Sequence, residues 1–217
     1  CHLCGHEEPV PKSCPNCHKV GIIHKGFGTK LLESELSRLF PEVKIARFDG
    51  DNKRADSLAG LYDEVKAGGI KLLIGTQTLA RGLDLPKLAT VGVVQADAGL
   101  ALPDFAAEER TFELLTQVIG RVGRGHLDQA EVVMQTYQPD HPVIQTAMRA
   151  DYPQFVEYLL RSRRRQELPP FSYLARITVT YKTEKTVTAK IRAIQQELIK
   201  NPDITVSPPM PAFHERA

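Results

Sequence analysis

The chain has 217 residues, 42% of them hydrophobic and 25% charged, with a formal net charge of +2. That length allows one sizeable core plus a smaller appended unit. The small basic excess argues neither for nor against nucleic-acid binding. No apolar run reaches the roughly 18 residues a membrane-spanning helix needs. No charged-then-apolar leader opens the sequence, so a soluble, non-secreted chain is expected, and Cys1 and Ala217 both look like cuts from something longer.

All four cysteines fall in the first 17 residues, as Cys1-His-Leu-Cys4 and Cys14-Pro-Asn-Cys17. Two C-x-x-C knuckles suit a tetrahedral Zn²⁺ held by thiolates, and disulfides are not expected without an export signal. Nine residues separate the knuckles, whereas zinc ribbons use about 15–20, so the two need not share one metal. His2, His6 and His18 are nearby substitutes that read equally as loop histidines.

Val20–His24 reads as a short strand, and Thr29 as the N-cap of a helix whose apolar face includes Leu31, Leu32, Leu36, Leu39 and Phe40 and which ends at Pro41. Val43–Phe48 is the next strand, and Ser57–Lys66 a helix stopped by Gly68-Gly69. Lys71–Gly75 and Ala89–Gln95 are continuous apolar runs of the buried-strand type, and Glu131–Thr136 is a further strand. Strands alternating with helices predict an α/β fold with a parallel sheet covered on both faces. Ligands on such sheets bind at strand carboxyl ends, which nominates Asp49/Asp51, Thr76/Gln77 with Gly82/Asp84, and Asp97 as one rim.

A helix over Phe105–Gln117, with Phe112 as core packing, leads into Gln117-Val-Ile-Gly-Arg121-Val-Gly-Arg124. Two arginines three residues apart share one face and can fork onto an anionic oxygen such as a γ-phosphate. No G-x-x-x-x-G-K-[ST] phosphate loop and no D-E-x-H occurs in the chain. The pattern therefore fits half of a nucleotide-driven machine, the half that supplies arginine fingers. Residues 140–168 read as a helical connector ending in Arg161-Ser-Arg-Arg-Arg165, either a solvated face or a phosphate contact. Beyond Pro169-Pro170, an alternating Tyr173–Tyr181, a helix over Ala189–Lys200 and Ile204–Val206 look like the opening of an α+β domain.

Gly75-Thr-Gln-Thr-Leu-Ala-Arg-Gly-Leu-Asp-Leu-Pro86, Asp97, Leu102-Pro-Asp-Phe105, Glu109-Arg-Thr-Phe112 and Leu115-Thr-Gln117 through Arg124 together closely resemble the PriA family of replication-restart helicases, over nearly the whole chain. The resemblance implies a RecA-like second motor domain of an ATP-dependent, superfamily 2, 3′-to-5′ DNA helicase over 20–139, after a partial zinc-binding segment at 1–19. A helical connector at 140–170 and the start of a C-terminal domain at 171–217 would follow. It implies that Gly82 and Asp84 of motif V lie near the nucleotide, that Thr76 and Gln77 face the DNA backbone, and that Gln117, Arg121 and Arg124 form motif VI. It also implies zinc at Cys1, Cys4, Cys14 and Cys17, with each knuckle serving a different zinc, and ATP with Mg²⁺ held mainly by a domain outside this chain.

The implied partners are forked or single-stranded DNA, other primosome and replication-restart proteins and single-strand-binding protein. The implied setting is a monomer in the bacterial cytoplasm, near the nucleoid. Against the family pattern, Lys30 replaces a glutamate, Arg81 and Leu83 replace lysine and histidine, and Asn52-Lys53 replace two threonines. The competing possibility is a non-catalytic, zinc-anchored module that binds DNA or protein.

Overall fold

The computed structural model describes residues 28–48, 58–76, 79, 85, 88–102, 104–122 and 130–210. Among these, one compact unit extends to Arg165 and a second begins at Gln166. The expected strand Val20–His24 and the aspartates 49 and 51 lie outside the described residues.

The larger unit alternates helix and strand as the apolar periodicity demands. Its elements are α1 (Thr29–Leu39), β1 (Ile45–Phe48), α2 (Leu58–Ala67), β2 (Leu72–Gly75), β3 (Thr90–Val93), α3 (Ala107–Ile119), β4 (Glu131–Met134), α4 (Pro142–Met148) and α5 (Tyr152–Arg165). A single 3₁₀ turn, Ala98–Ala101, joins β3 to α3. Parallel pairing needs a crossover, and α2 supplies it between β1 and β2, which register from Ile45↔Leu72 to Phe48↔Gly75. Alternation along β1 turns Ala46 and Phe48 inward, where they join Val65 of α2 and Ile70, flanked by Leu61, Leu73, Leu79 and Leu85. Gly75 ends β2 where a Cβ would sit 2.5 Å from Leu79 Cδ1 and 2.8 Å from the Phe48 carbonyl oxygen, so the backbones close only without a side chain.

Helix α1 begins differently from expectation. Gly28 is the N-cap, its carbonyl accepting from Leu32 N at 3.1 Å, and Thr29 is already helical, so no side chain caps this end. None of the α1 side chains is buried, and Leu31, Leu39 and Phe40 stand about half exposed. The helix is tied to β1 instead by Arg47 Nε, which donates to Glu33 Oε2 at 2.8 Å.

β3 and β4 form a second parallel pair, from Thr90↔Glu131 to Val93↔Met134. A single parallel sheet was expected; among the described residues there are two separate two-stranded pairs, which keeps the α/β class but not the continuous sheet. Nor are β3 and β4 buried on both faces. Their side chains alternate between half-buried and exposed, with Val133 53% exposed, so only one face meets the core.

That core is helical. Phe112 and Leu115 of α3, Val143, Ile144 and Ala147 of α4, and Phe155 and Leu159 of α5 cluster with Ala96, and Val93 and Met134 pack against them. The Phe112 and Phe155 rings stack 3.8 Å apart and 3° from parallel. Pro142 occupies the first turn of α4, where no amide hydrogen is needed, and His141 caps that turn by accepting from Val143 N through Nδ1 at 3.3 Å. Residues 142–165, expected as a connector, thus supply most of the apolar cluster. No helix among the described residues is long and apolar enough to cross a membrane.

The second unit holds α6 (Glu184–Leu198), which starts five residues before the expected Ala189 because Thr183 caps it, Oγ1 accepting from Thr186 N at 3.3 Å. Segments 173–181 and 204–206, expected as strands, have no ladder partner among the described residues. Their alternation is present in the sequence, but Tyr173, Leu174, Ile177 and Tyr181 are exposed, and an unpaired extended segment is not a strand.

Leu115 is 1% exposed at the centre of the larger core. Leu115→Ala is expected to lower unfolding free energy by about 2–5 kcal/mol in chemical denaturation. The same truncation at Leu31, which is 50% exposed, should cost well under that, and equal losses would contradict this assignment of the core.

Candidate functional site

Helix α3 carries the sequence motif with the most chemistry, and both of its ends are built by local rules. At the start, Asp104 Oδ1 accepts from Ala106 N at 2.9 Å and Oδ2 accepts from Arg110 Nη1 at 2.7 Å. Glu108 and Glu109 occupy the first turn, where negative charge suits the helix dipole. The 3₁₀ turn fits beneath because residue 99 is glycine: a Cβ there would lie 2.4 Å from Thr111 Oγ1, which already donates to the Ala107 carbonyl at 2.7 Å.

At the far end Gly120 N reaches the Thr116 carbonyl at 2.9 Å, and Arg121 N and Val122 N reach Val118 and Ile119 at 3.2 Å each. Arg121 therefore stands half-buried in the tightened turn just past the helix.

Two acidic residues at the start of α3 hold α5. Tyr158 OH donates to Glu108 Oε1 at 2.7 Å, and Arg163 Nη2 donates to Glu109 Oε2 at 2.8 Å. The Arg163 guanidinium also lies over the Phe105 ring, 5.2 Å from its centroid. Arg163 is 9% exposed, and its Nε has no hydrogen-bond partner among the described residues. His141 Nε2 approaches Glu108 Oε1 at 3.9 Å, and its ring meets Tyr158 edge-on at 6.3 Å. Burial raises the Tyr158 phenol pKa well above the ordinary 10.0; the hydrogen bond to Glu108 and its charge raise it further, while Arg165 acts the other way.

Nine helical residues are about 2.5 turns. Gln117 thus lies opposite Glu108, and Arg121 opposite Phe112, allowing for the tightened turn. The apolar face with Glu108 is thus turned away from Gln117, which is exposed, while Glu109 stands between the two, about 80° from Gln117.

Other candidates separate. Thr76 is exposed immediately after β2. Asp97 is buried after β3, where Oδ1 accepts from Tyr137 N at 3.4 Å; with Ala96 N to the Gln135 carbonyl at 3.0 Å, this ties the carboxyl ends of β3 and β4 together. Gln77, Gly82, Asp84, Arg124, Cys1, Cys4, Cys14 and Cys17 lie outside the described residues. Among the described residues no cluster of three His, Cys, Asp or Glu side chains could hold a metal.

The Glu108–Tyr158 and Glu109–Arg163 pairs are not among the residues the sequence motifs single out, although a signal for one of them exists. Phe155, Leu159 and Arg163 recur every four residues, so the second arginine of the run continues the buried stripe of α5. Arg161, by contrast, is an exposed partner of Glu157 at 2.5 Å.

A parallel α/β unit with a glycine-terminated helix carrying a Gln/Arg motif fits the α/β class expected from the sequence. The model of the helicase conserved C-terminal domain matches residues 17–126, and the chain belongs to that family. The particular likeness is to replication restart proteins PriA, as the motif string implied. The protein of that name from Bacillus subtilis (strain 168) is 43% identical over 182 residues, 83% of this chain and 22% of its own length. Those of Treponema pallidum (strain Nichols) and Haemophilus influenzae are each 40% identical, over 85% and 82% of this chain and 28% and 24% of their own lengths. The chain thus spans about a quarter of the length of the curated relatives it matches.

Because the folded-state pKa of Tyr158 is raised, its contribution to stability is complete below pH 10.0, the unfolded value, and is lost as pH rises beyond it toward the folded value. Alkaline titration followed by tyrosinate absorbance should show one phenol resisting ionisation until unfolding. Tyr158→Phe should remove that phenol and cost about 1 kcal/mol at neutral pH. An unchanged titration curve in the variant would contradict the raised value.

Proposed function

We propose that the chain is the C-terminal part of an ATP-dependent 3′-to-5′ DNA helicase of replication restart. It supplies motif V and the motif VI arginines to a nucleotide gripped by another domain. In this scheme residues 20–139 are a RecA-like second motor domain, 140–170 a helical connector, and 171–217 begin an α+β domain. The observation that carries the proposal is the helicase-family match over 17–126, which spans both arginines, in a chain with 40–43% identity to the three PriA relatives above.

Mechanistically, Arg121 and Arg124 meet charge developing on the γ-phosphate when two motor domains close. Hydrolysis then depends on closure, and closure and opening move a strand. Gln117 orients groups at the same cleft, Gly82 and Asp84 line its nucleotide side, and Thr76 and Gln77 contact the DNA backbone. A phosphate loop is absent from the 217 residues, so ATP and Mg²⁺ are held mainly by the partner domain. Forked or single-stranded DNA, primosome proteins and single-strand-binding protein are the partners this activity calls for.

The four thiols of Cys1, Cys4, Cys14 and Cys17 form a soft donor set that fits zinc, and they would hold it in a structural role. With each knuckle serving a separate ion, Cys4→Ser and Cys17→Ser in the full-length protein should each lower zinc content, and the double variant should lower it additively by elemental analysis. A double variant no poorer in zinc than either single one would point to one shared ion.

The isolated chain is expected to hydrolyse no ATP. In the full-length protein, Arg124→Ala should reduce DNA-stimulated ATP turnover by roughly 10³-fold or more. Turnover equal to the parent's would favour the non-catalytic DNA- or protein-binding module instead.

A further inference from the structure

We propose that Arg163 is a positioning residue for the motif VI face of α3, acting through Glu109 and Phe105. The inference rests on the assignment of Arg121 to the nucleotide cleft. A helix is a rod that can still rotate about its own axis unless something fixes its azimuth. Packing of Phe112 and Leu115 is non-directional and tolerates small rotations; a charge-assisted hydrogen bond from a guanidinium is directional.

Arg163 supplies that directional contact. Its Nη2 meets Glu109 Oε2 at 2.8 Å while the same guanidinium lies over Phe105, in the turn just before the helix. One side chain thus grips both the first turn of α3 and the chain entering it. The second tie, Tyr158 to Glu108 at 2.7 Å, comes from the same helix α5 one residue along α3.

Gln117 follows Glu109 by eight residues, about 2.2 turns, on the same rod, so a rotation at Glu109 swings Gln117 and the Arg121 that follows it by the same angle. Burial of Arg163 at 9% exposure, with Nε lacking a hydrogen-bond partner among the described residues, marks a charge held for orientation in a place where an apolar side chain would pack without that penalty.

The test uses the full-length helicase and DNA-stimulated ATP turnover, with melting temperature recorded for every variant. Arg163→Gln and Glu109→Gln should each lower kcat roughly tenfold to a hundredfold while KM for ATP changes less, as expected for misplacement of a group acting in the transition state. The exchanged pair Glu109→Arg with Arg163→Glu should recover most of the lost kcat.

Single variants with the parental kcat, in a protein whose Arg121→Ala form is inactive, would overturn the positioning role and leave the motif VI assignment standing. A loss of kcat that tracks the fall in melting temperature and is not recovered by the exchange would also overturn it, leaving a purely structural ion pair. Arg121→Ala with the parental turnover would instead defeat the motif VI assignment, and this inference with it.

Discussion

The packing of α3 against α4 and α5 is the constraint on which the larger unit depends. Phe112 stacks on Phe155, Leu115 is almost wholly excluded from water, and Val143, Ile144 and Ala147 close the cluster from the side. Each strand pair is only two strands wide among the described residues, and β3 and β4 expose one face. Sheets so narrow contribute little independent stability. The helical cluster therefore carries the fold around β3 and β4, and Val93 and Met134 join it from the strand side.

Polar contacts are then layered on this apolar base. Glu108 and Glu109 are adjacent in sequence yet take different partners, Tyr158 and Arg163, five residues apart on α5. His141 adds a third element, since its Nδ1 accepts an amide hydrogen of α4 while Nε2 faces Glu108. Three helices thereby share one small polar seam at the edge of their apolar contact.

Much of this was legible in the sequence. The four described strands fall inside the runs read from apolar periodicity, and Phe112 proved to be core, as its helical spacing suggested. The α/β class and the PriA likeness followed from strand alternation and an ordered motif string. The misses have physical causes. Thr29 resembles an N-cap by residue type, but capping is decided by which backbone carbonyl opens the helix, and Gly28 supplies it. Segment 173–181 has the right alternation, yet a strand is defined by a partner that its own sequence does not encode. By composition the arginine run is one block of charge, whereas helical phase separates buried Arg163 from exposed Arg161. Of the candidate site, only Thr76, Asp97, Gln117 and Arg121 fall among the described residues, and only Gln117 and Arg121 belong to one helix face.

The buried and exposed sides of α3 divide tolerance to substitution along a single rod. Residues on the side turned toward α5 are bound to one another by shape and charge, so a change at one calls for a compensating change at its contact. Residues on the outward side, such as Glu113 and Gln117, answer to no such neighbour in the core. Sequence drift could thus retune what that outer side touches without reopening the question of whether the molecule folds, and the two kinds of selection would alternate with the period of the helix.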